Sequence, residues 1–135
     1  MAGRCRLRLN EGQQQTIAGI VTSTDFKPKA YLKDGCPYSF KYLLFMSEAG
    51  LVDRIDVVRC DPDSADFATT KHRLAQATGR EATFPTVEIE PGRYLSDSDR
   101  LIDHFARLYS VDPGRLPALS FYKETVFEQL TALHE

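Results

Sequence analysis

From Pro28 onward the apolar positions fall in short blocks separated by turn residues, and each block has a recognisable period. Tyr31 and Leu32 lie in a short apolar segment closed by the polar turn Lys33-Asp34-Gly35, which predicts a strand near Lys29 to Lys33. Cys36 follows, then Pro37, then a long apolar run to Leu51. Proline suits a first helical turn, where its missing N–H has no partner to lose. The order is therefore strand, tight turn, helix, with the helix running from Pro37 to about Ala49 and Gly50 as a left-handed stop. A second strand is predicted over Arg54 to Arg59, where Ile55, Val57 and Val58 have the β-branched content of a buried strand. Asp61-Pro62-Asp63-Ser64 reads as a turn and cap for a helix from about Ala65 to Ala77 that ends before Gly79.

Thr83 to Ile89 predicts a third strand, with Val87 and Ile89 inward against Thr86, Glu88 and Glu90. Glu90-Pro91-Gly92-Arg93 places proline and glycine at the centre of a type II turn, so Arg93 to Leu95 should return antiparallel. A third helix is expected from Asp97 or Ser98, with Leu101, Phe105 and Leu108 as its apolar stripe and His104 beside it as a surface or second-layer residue. Residues 111–117 read as a linker, and beyond them Tyr122, Val126, Leu130 and Leu133 share one helical face.

The first helix is apolar nearly all round, the pattern of a buried helix. Phe40, Leu43, Leu44 and Leu51 make a face for the sheet, and Tyr42, Phe45, Met46 and Ala49 make a second, relieved by Lys41 and Glu48. The segment from Phe121 to Leu133 is the expected cover by folding back, and a homodimer is the alternative, since a large exposed apolar patch is rare on a monomer.

Composition narrows the class. A chain of 135 residues, 42% hydrophobic, suits one compact core. A net charge of −2 and a pI near 5.9 supply no basic field for nucleic acid or for an anionic membrane. No run approaches the roughly 18 apolar residues of a membrane span. Cys5, Cys36 and Cys60 are too few and too irregularly spaced for a disulfide framework or a zinc site. Asp61, Asp63 and Asp66 read as caps, so no metal is expected. The start of the chain does not resemble a secretory signal, which implies a cytoplasmic protein. Residues 1–27 form an N-terminal extension whose 17–21 segment suits helix or strand, while Arg4, Arg6 and Arg8 suggest an edge strand or a solvated terminus. Residues 28–110 are the main domain, and 111–135 a linker with a C-terminal helix.

The chemistry centres on Cys36. At a helix N-cap, free backbone N–H groups and the positive end of the helix dipole favour an anion, so its thiolate should be available as a nucleophile at neutral pH. Lys33 adds a cation on the same turn.

Cys36-Pro37-Tyr38-Ser39 opening a helix after a strand resembles the active site of the glutaredoxins and of the cysteine-type glutathione transferases. Thr83-Phe84-Pro85-Thr86-Val87 resembles their cis-proline site, and Ser96-Asp97-Ser98 resembles the acidic-Ser helix start of the transferases. The blocks occur in family order over about Lys29 to Tyr109. The resemblance implies an α/β, thioredoxin-like fold: βαβ then ββα, a four-stranded mixed sheet, and helices on both faces. Ser39 departs from the dithiol glutaredoxins, which carry a second cysteine there.

The implied activity is monothiol. Cys36 thiolate attacks a glutathione mixed disulfide, and the Ser39 hydroxyl donates a hydrogen bond to it. With glutathione as cosubstrate, the resemblance assigns Lys33 to its glycine carboxylate and Phe84, ahead of Pro85, to its cysteinyl backbone. Asp97 and Ser98 take its α-amino and α-carboxylate ends, and Pro37, Tyr38 and Pro85 count among the glutathione-binding residues. Partners are then glutathione and a glutathionylated protein or small thiol. Two alternatives keep the fold: a transferase-like domain acting on small electrophiles, for which the chain after Tyr109 looks too short to build a pocket, and a non-catalytic glutathione-binding module. Cys60, at the end of the second strand, is near enough by register to be considered as a disulfide partner for Cys36.

Overall fold

The computed structural model describes residues 26–134; the expectations for Cys5, Arg4, Arg6, Arg8 and the 17–21 segment fall outside them. The chain runs β1 (Lys29–Lys33), α1 (Pro37–Glu48), β2 (Asp56–Cys60), α2 (Phe67–Thr78), β3 (Thr86–Glu90), β4 (Arg93–Ser96) and α3 (Ser98–Tyr109). Four further segments follow: a 3-10 turn (Pro113–Arg115), α4 (Pro117–Phe121), a π-helical turn (Tyr122–Val126) and α5 (Phe127–His134).

The four strands form one sheet in the order β2-β1-β3-β4. β1 is parallel to β2, with Lys33 opposite Cys60, and antiparallel to β3, which pairs antiparallel with β4. This is the thioredoxin-like arrangement. The strand period of two sorts the side chains into two layers. Ala30, Leu32, Val87 and Ile89 join α1 and α3 in the main core, and Tyr31 and Cys60 join Leu74 of α2 on the other face.

Several boundaries and faces differ from the sequence expectation. β2 starts at Asp56, after a 3-10 turn over Val52–Arg54, and among the described residues it is an edge strand. Ile55 is buried, but Val57 is 38% exposed, because among the described residues no strand flanks β2 on its outer side. α2 starts at Phe67, and Asp61 and Ser64 serve the preceding turn, accepting from the N–H groups of Asp63 and Asp66. β3 starts at Thr86. Thr86 is buried, since both faces of the sheet are covered; its hydroxyl donates to the Thr83 carbonyl at 2.6 Å and meets Ser96 Oγ at 2.7 Å. In α3 the buried face turns toward Leu101, Ile102, Phe105 and Ala106, which leaves Leu108 exposed.

On α1 the two apolar faces exchange roles. Tyr42, Phe45 and Met46 are fully enclosed in the main core, Tyr42 beside Phe105, whereas Phe40 is half exposed. The C-terminal segment folds back on α1 as expected. Leu119 enters the main core, Tyr122 meets Phe40 edge-on, and Phe127 meets Tyr38 edge-on. Glu48 caps α4 by accepting from the Ala118 and Leu119 N–H groups at 2.8 Å each. The expected stripe does not continue past Tyr122, because the wider π turn shifts the register. Phe127 turns inward while Leu133 is left exposed. Among the described residues no helix is long and apolar enough to cross a membrane.

Candidate functional site

β1 carries the chain to the sheet end, and the turn beyond it is fixed by backbone bonds. Asp34 N–H donates to Cys60 O at 2.9 Å, and Cys36 N–H donates to Lys33 O at 3.2 Å. Gly35 between them has φ +79°, a left-handed conformation that glycine adopts without a Cβ penalty. Pro37 then starts α1 and leaves Cys36 at the N-cap, where its sulfur accepts from Ser39 N–H at 3.5 Å. The first turn of α1 holds no acidic side chain, so the Cys36 sulfur is the side-chain acceptor at this helix start. The thiol is 5% exposed and is 3.9 Å from the Phe84 carbonyl.

Ser39 plays another part than the one expected of its hydroxyl. Its Oγ accepts from Lys33 N–H at 3.1 Å, bolting the helix start to the end of β1, and the contact with Cys36 comes from its backbone N–H. Asp34 is engaged by Arg59 through two hydrogen bonds of 3.0 and 3.1 Å.

The Phe84–Pro85 bond is cis, and Pro85 is buried. The Phe84 ring stacks on Phe67 at the start of α2, which holds the loop in place. Asp97 caps α3: Oδ1 accepts from Asp99 N–H at 2.9 Å and Arg100 N–H at 3.4 Å. Its φ of +81° is unusual for a residue with a Cβ, and such conformations gather at functional positions. Ser98 is buried beside it.

The predicted residues line two adjoining depressions. Lys33, Cys36, Pro37 and Ser39 open on an apolar groove of about 760 Å³ that Phe40, Val57 and Leu130 also line. Tyr38, Phe84, Asp97 and Ser98 open on a more polar one of about 500 Å³. The Phe84 carbonyl beside the Cys36 sulfur joins the two.

Two contributors escaped the sequence reading. Lys41, read there as polar relief on α1, is 4% exposed; its ammonium lies 2.9 Å from Asp99 Oδ1 and 4.2 Å from the centre of the Phe127 ring. Tyr122, read as part of an apolar stripe, donates its hydroxyl to Pro37 O at 2.7 Å. Burial, with the Cys36 sulfur beside it, holds its phenol above the usual tyrosine range. The available signal was a polar atom on an otherwise apolar face.

Cys60 is set apart from this chemistry. Both described cysteines are free thiols, and Cys60 packs in the α2 layer with its thiol directed to Val58 O at 3.7 Å. Burial, then the Asp34 charge, push its thiol up from the ordinary cysteine value. Among the described residues no group of three or more His, Cys, Asp or Glu side chains is placed to hold a metal ion.

The family model described as glutathione S-transferase, N-terminal domain, matches residues 35–108, from the turn before Cys36 to the end of α3. The chain belongs to that family. Among solved structures, glutaredoxin 2 from Salmonella typhimurium in complex with glutathione is similar over 62% of this chain and 34% of that one, with 17% identity and a TM-score of 0.50. A glutathione transferase homologue from Sulfitobacter with bound glutathione is similar over 78% of this chain and 62% of that one, with 20% identity and a TM-score of 0.47. A glutathione S-transferase from the Antarctic clam Laternula elliptica is similar over 63% of this chain and 36% of that one, with 20% identity and a TM-score of 0.44. The chain thus spans about a third of the length of the first and third of these. A search of curated protein sequences finds no match. At such identities the likeness to glutaredoxin 2 concerns the fold, which the family shares with it.

Proposed function

We propose that the protein is a glutathione-dependent thiol–disulfide oxidoreductase of monothiol type, working in a reducing compartment such as the cytoplasm. The observation that carries this reading is the Cys36 sulfur at the N-cap of α1, accepting from Ser39 N–H beside the Phe84 carbonyl, with serine where a resolving cysteine would stand. Cys36 thiolate attacks the glutathione sulfur of a mixed disulfide. The disulfide bond breaks, a Cys36–glutathione disulfide forms, and the partner leaves as a thiolate that takes a proton from water. A second glutathione thiolate attacks that sulfur, releasing oxidised glutathione and restoring the Cys36 thiolate. Lys33 serves the glycine carboxylate, Phe84 the cysteinyl backbone, and Asp97 and Ser98 the γ-glutamyl end.

The apolar groove supports a second reading, transfer of glutathione to a small electrophile. α5 supplies Leu130 and Leu133 to its wall, so the segment after Tyr109, short as it is, lines a groove that also holds Cys36. Paired assays decide between the two. Turnover of a glutathione mixed disulfide that vanishes in Cys36→Ser supports the oxidoreductase, turnover of a halogenated aromatic alone supports the transferase, and turnover of neither removes both.

A further inference from the structure

A lysine is among the residues least often buried, because an ammonium loses more on leaving water than packing restores unless a partner compensates it. Lys41 is 4% exposed and lines the polar depression together with Asp97 and Ser98. Its compensation is lopsided. The Asp99 carboxylate that accepts from it is itself 71% exposed, and the Phe127 ring covers another side. An ammonium offers three donors, and among the described residues one hydrogen bond from it is made, to Asp99. An enclosed cation is therefore held by a carboxylate that is itself largely exposed.

The surrounding charges have a pattern. Lys41, Arg80 and Arg100 bring positive charge to the depression, and Asp97 and Asp99 bring negative charge. A wall of both signs fits a zwitterion better than a simple anion. The π turn in the C-terminal segment sets Phe127 on Lys41, so α5 completes this wall.

We propose that Lys41 is a ligand-contacting residue that receives the α-carboxylate of the γ-glutamyl end of glutathione, while Asp99, released from Lys41, joins Asp97 in accepting the α-ammonium. One internal ion pair is exchanged for two pairs with the ligand. The inference rests on the glutathione reading above and deepens it, moving the carboxylate from Ser98 alone to a buried cation.

Calorimetric titration of the full chain tests it with three probes: glutathione, γ-aminobutyryl-cysteinyl-glycine, which lacks the α-carboxylate, and glutaryl-cysteinyl-glycine, which lacks the α-amino group. The unaltered protein should bind glutathione roughly ten- to a hundredfold more tightly than the probe without the carboxylate. Lys41→Met should abolish that ratio and Lys41→Arg should keep most of it. Asp99→Asn, an exposed substitution that leaves Lys41 in place should Lys41→Met fail to fold, should bind glutaryl-cysteinyl-glycine more tightly by removing the competing carboxylate. Equal affinities in the unaltered protein, an unchanged ratio in folded Lys41→Met, or no gain in Asp99→Asn would each overturn the assignment. Failure of the unaltered protein to bind glutathione at all would instead overturn the glutathione reading, and this inference with it.

Discussion

The hydroxyl of Tyr122 donates a buried 2.7 Å hydrogen bond to the carbonyl of Pro37, tying the C-terminal helical segment to the first turn of α1, next to Cys36. The segment is thus part of the site's support. Tyr122→Phe keeps the ring that packs on Phe40 and removes the bond, so it should cost about 0.5–1.5 kcal/mol. Urea unfolding measures that loss, and an unchanged midpoint would show that the bond adds nothing.

Removing the segment should do far more. A chain ending at Pro117 loses Leu119 from the main core, the Tyr122 bond and the capping role of Glu48. It should unfold at lower temperature or associate through the uncovered face of α1. Leu119→Ala alone should cost roughly 2–5 kcal/mol. A truncated protein that stays monomeric in light scattering and melts at the same temperature would contradict the packing described.

Cys36→Ser should abolish thiol exchange with little change in the melting curve, while Cys60→Ala should leave exchange intact. The Cys60 thiol packs in the α2 layer, and burial pushes it up from the ordinary cysteine value, which makes it a poorer attacking or resolving group. Loss of exchange in Cys60→Ala, or a Cys36–Cys60 linkage in mass spectra of oxidised protein, would show a dithiol route.

At Asp97 binding and stability can be separated. Asp97→Asn keeps an oxygen for the Asp99 and Arg100 N–H groups and tolerates the positive φ, but loses the charge. It should fold nearly as well and bind glutathione more weakly by roughly 1.5–3 kcal/mol. Asp97→Ala should lose the cap as well, a further cost to stability of about 0.5–2 kcal/mol. Unchanged affinity in Asp97→Asn would remove the residue from the site.

Tyr42 is fully buried, and among the described residues its hydroxyl has no hydrogen-bond partner. Burial, then Tyr109, hold its phenol well above the ordinary tyrosine value. A folded pKa above the unfolded one keeps the proton on the native side, so this contribution is full below about pH 10 and is lost as pH rises toward the folded pKa. Tyr42→Phe should therefore flatten the loss of stability in alkali. It should also stabilise the protein at neutral pH by up to about 1–3 kcal/mol, the cost of an orphaned buried polar group. Urea melts at neutral and alkaline pH check both, and a destabilised Tyr42→Phe at neutral pH would mean that the hydroxyl has a partner.

What was legible in the sequence was what depends on neighbours along the chain. Gly35, Cys36 and Pro37 fix a turn and a helix start within a few residues, Pro91-Gly92 forces a hairpin, and Asp97 ahead of Ser98 marks a cap. These local rules located each strand and helix of the main domain to within a few residues and put the candidate site residues at the strand and helix ends where the structure has them. What only the tertiary structure decided depends on which surfaces meet. The face of α1 that enters the core, the exposure of Val57 on an edge strand and the burial of Thr86 follow from the order of strands and from layers on both sides. The inward turn of Phe127 depends on one π turn, which no apolar period encodes. The enclosure of Lys41 follows from it, because a lysine on a helix is a solvated residue until an aromatic ring and a carboxylate from two distant segments close over it.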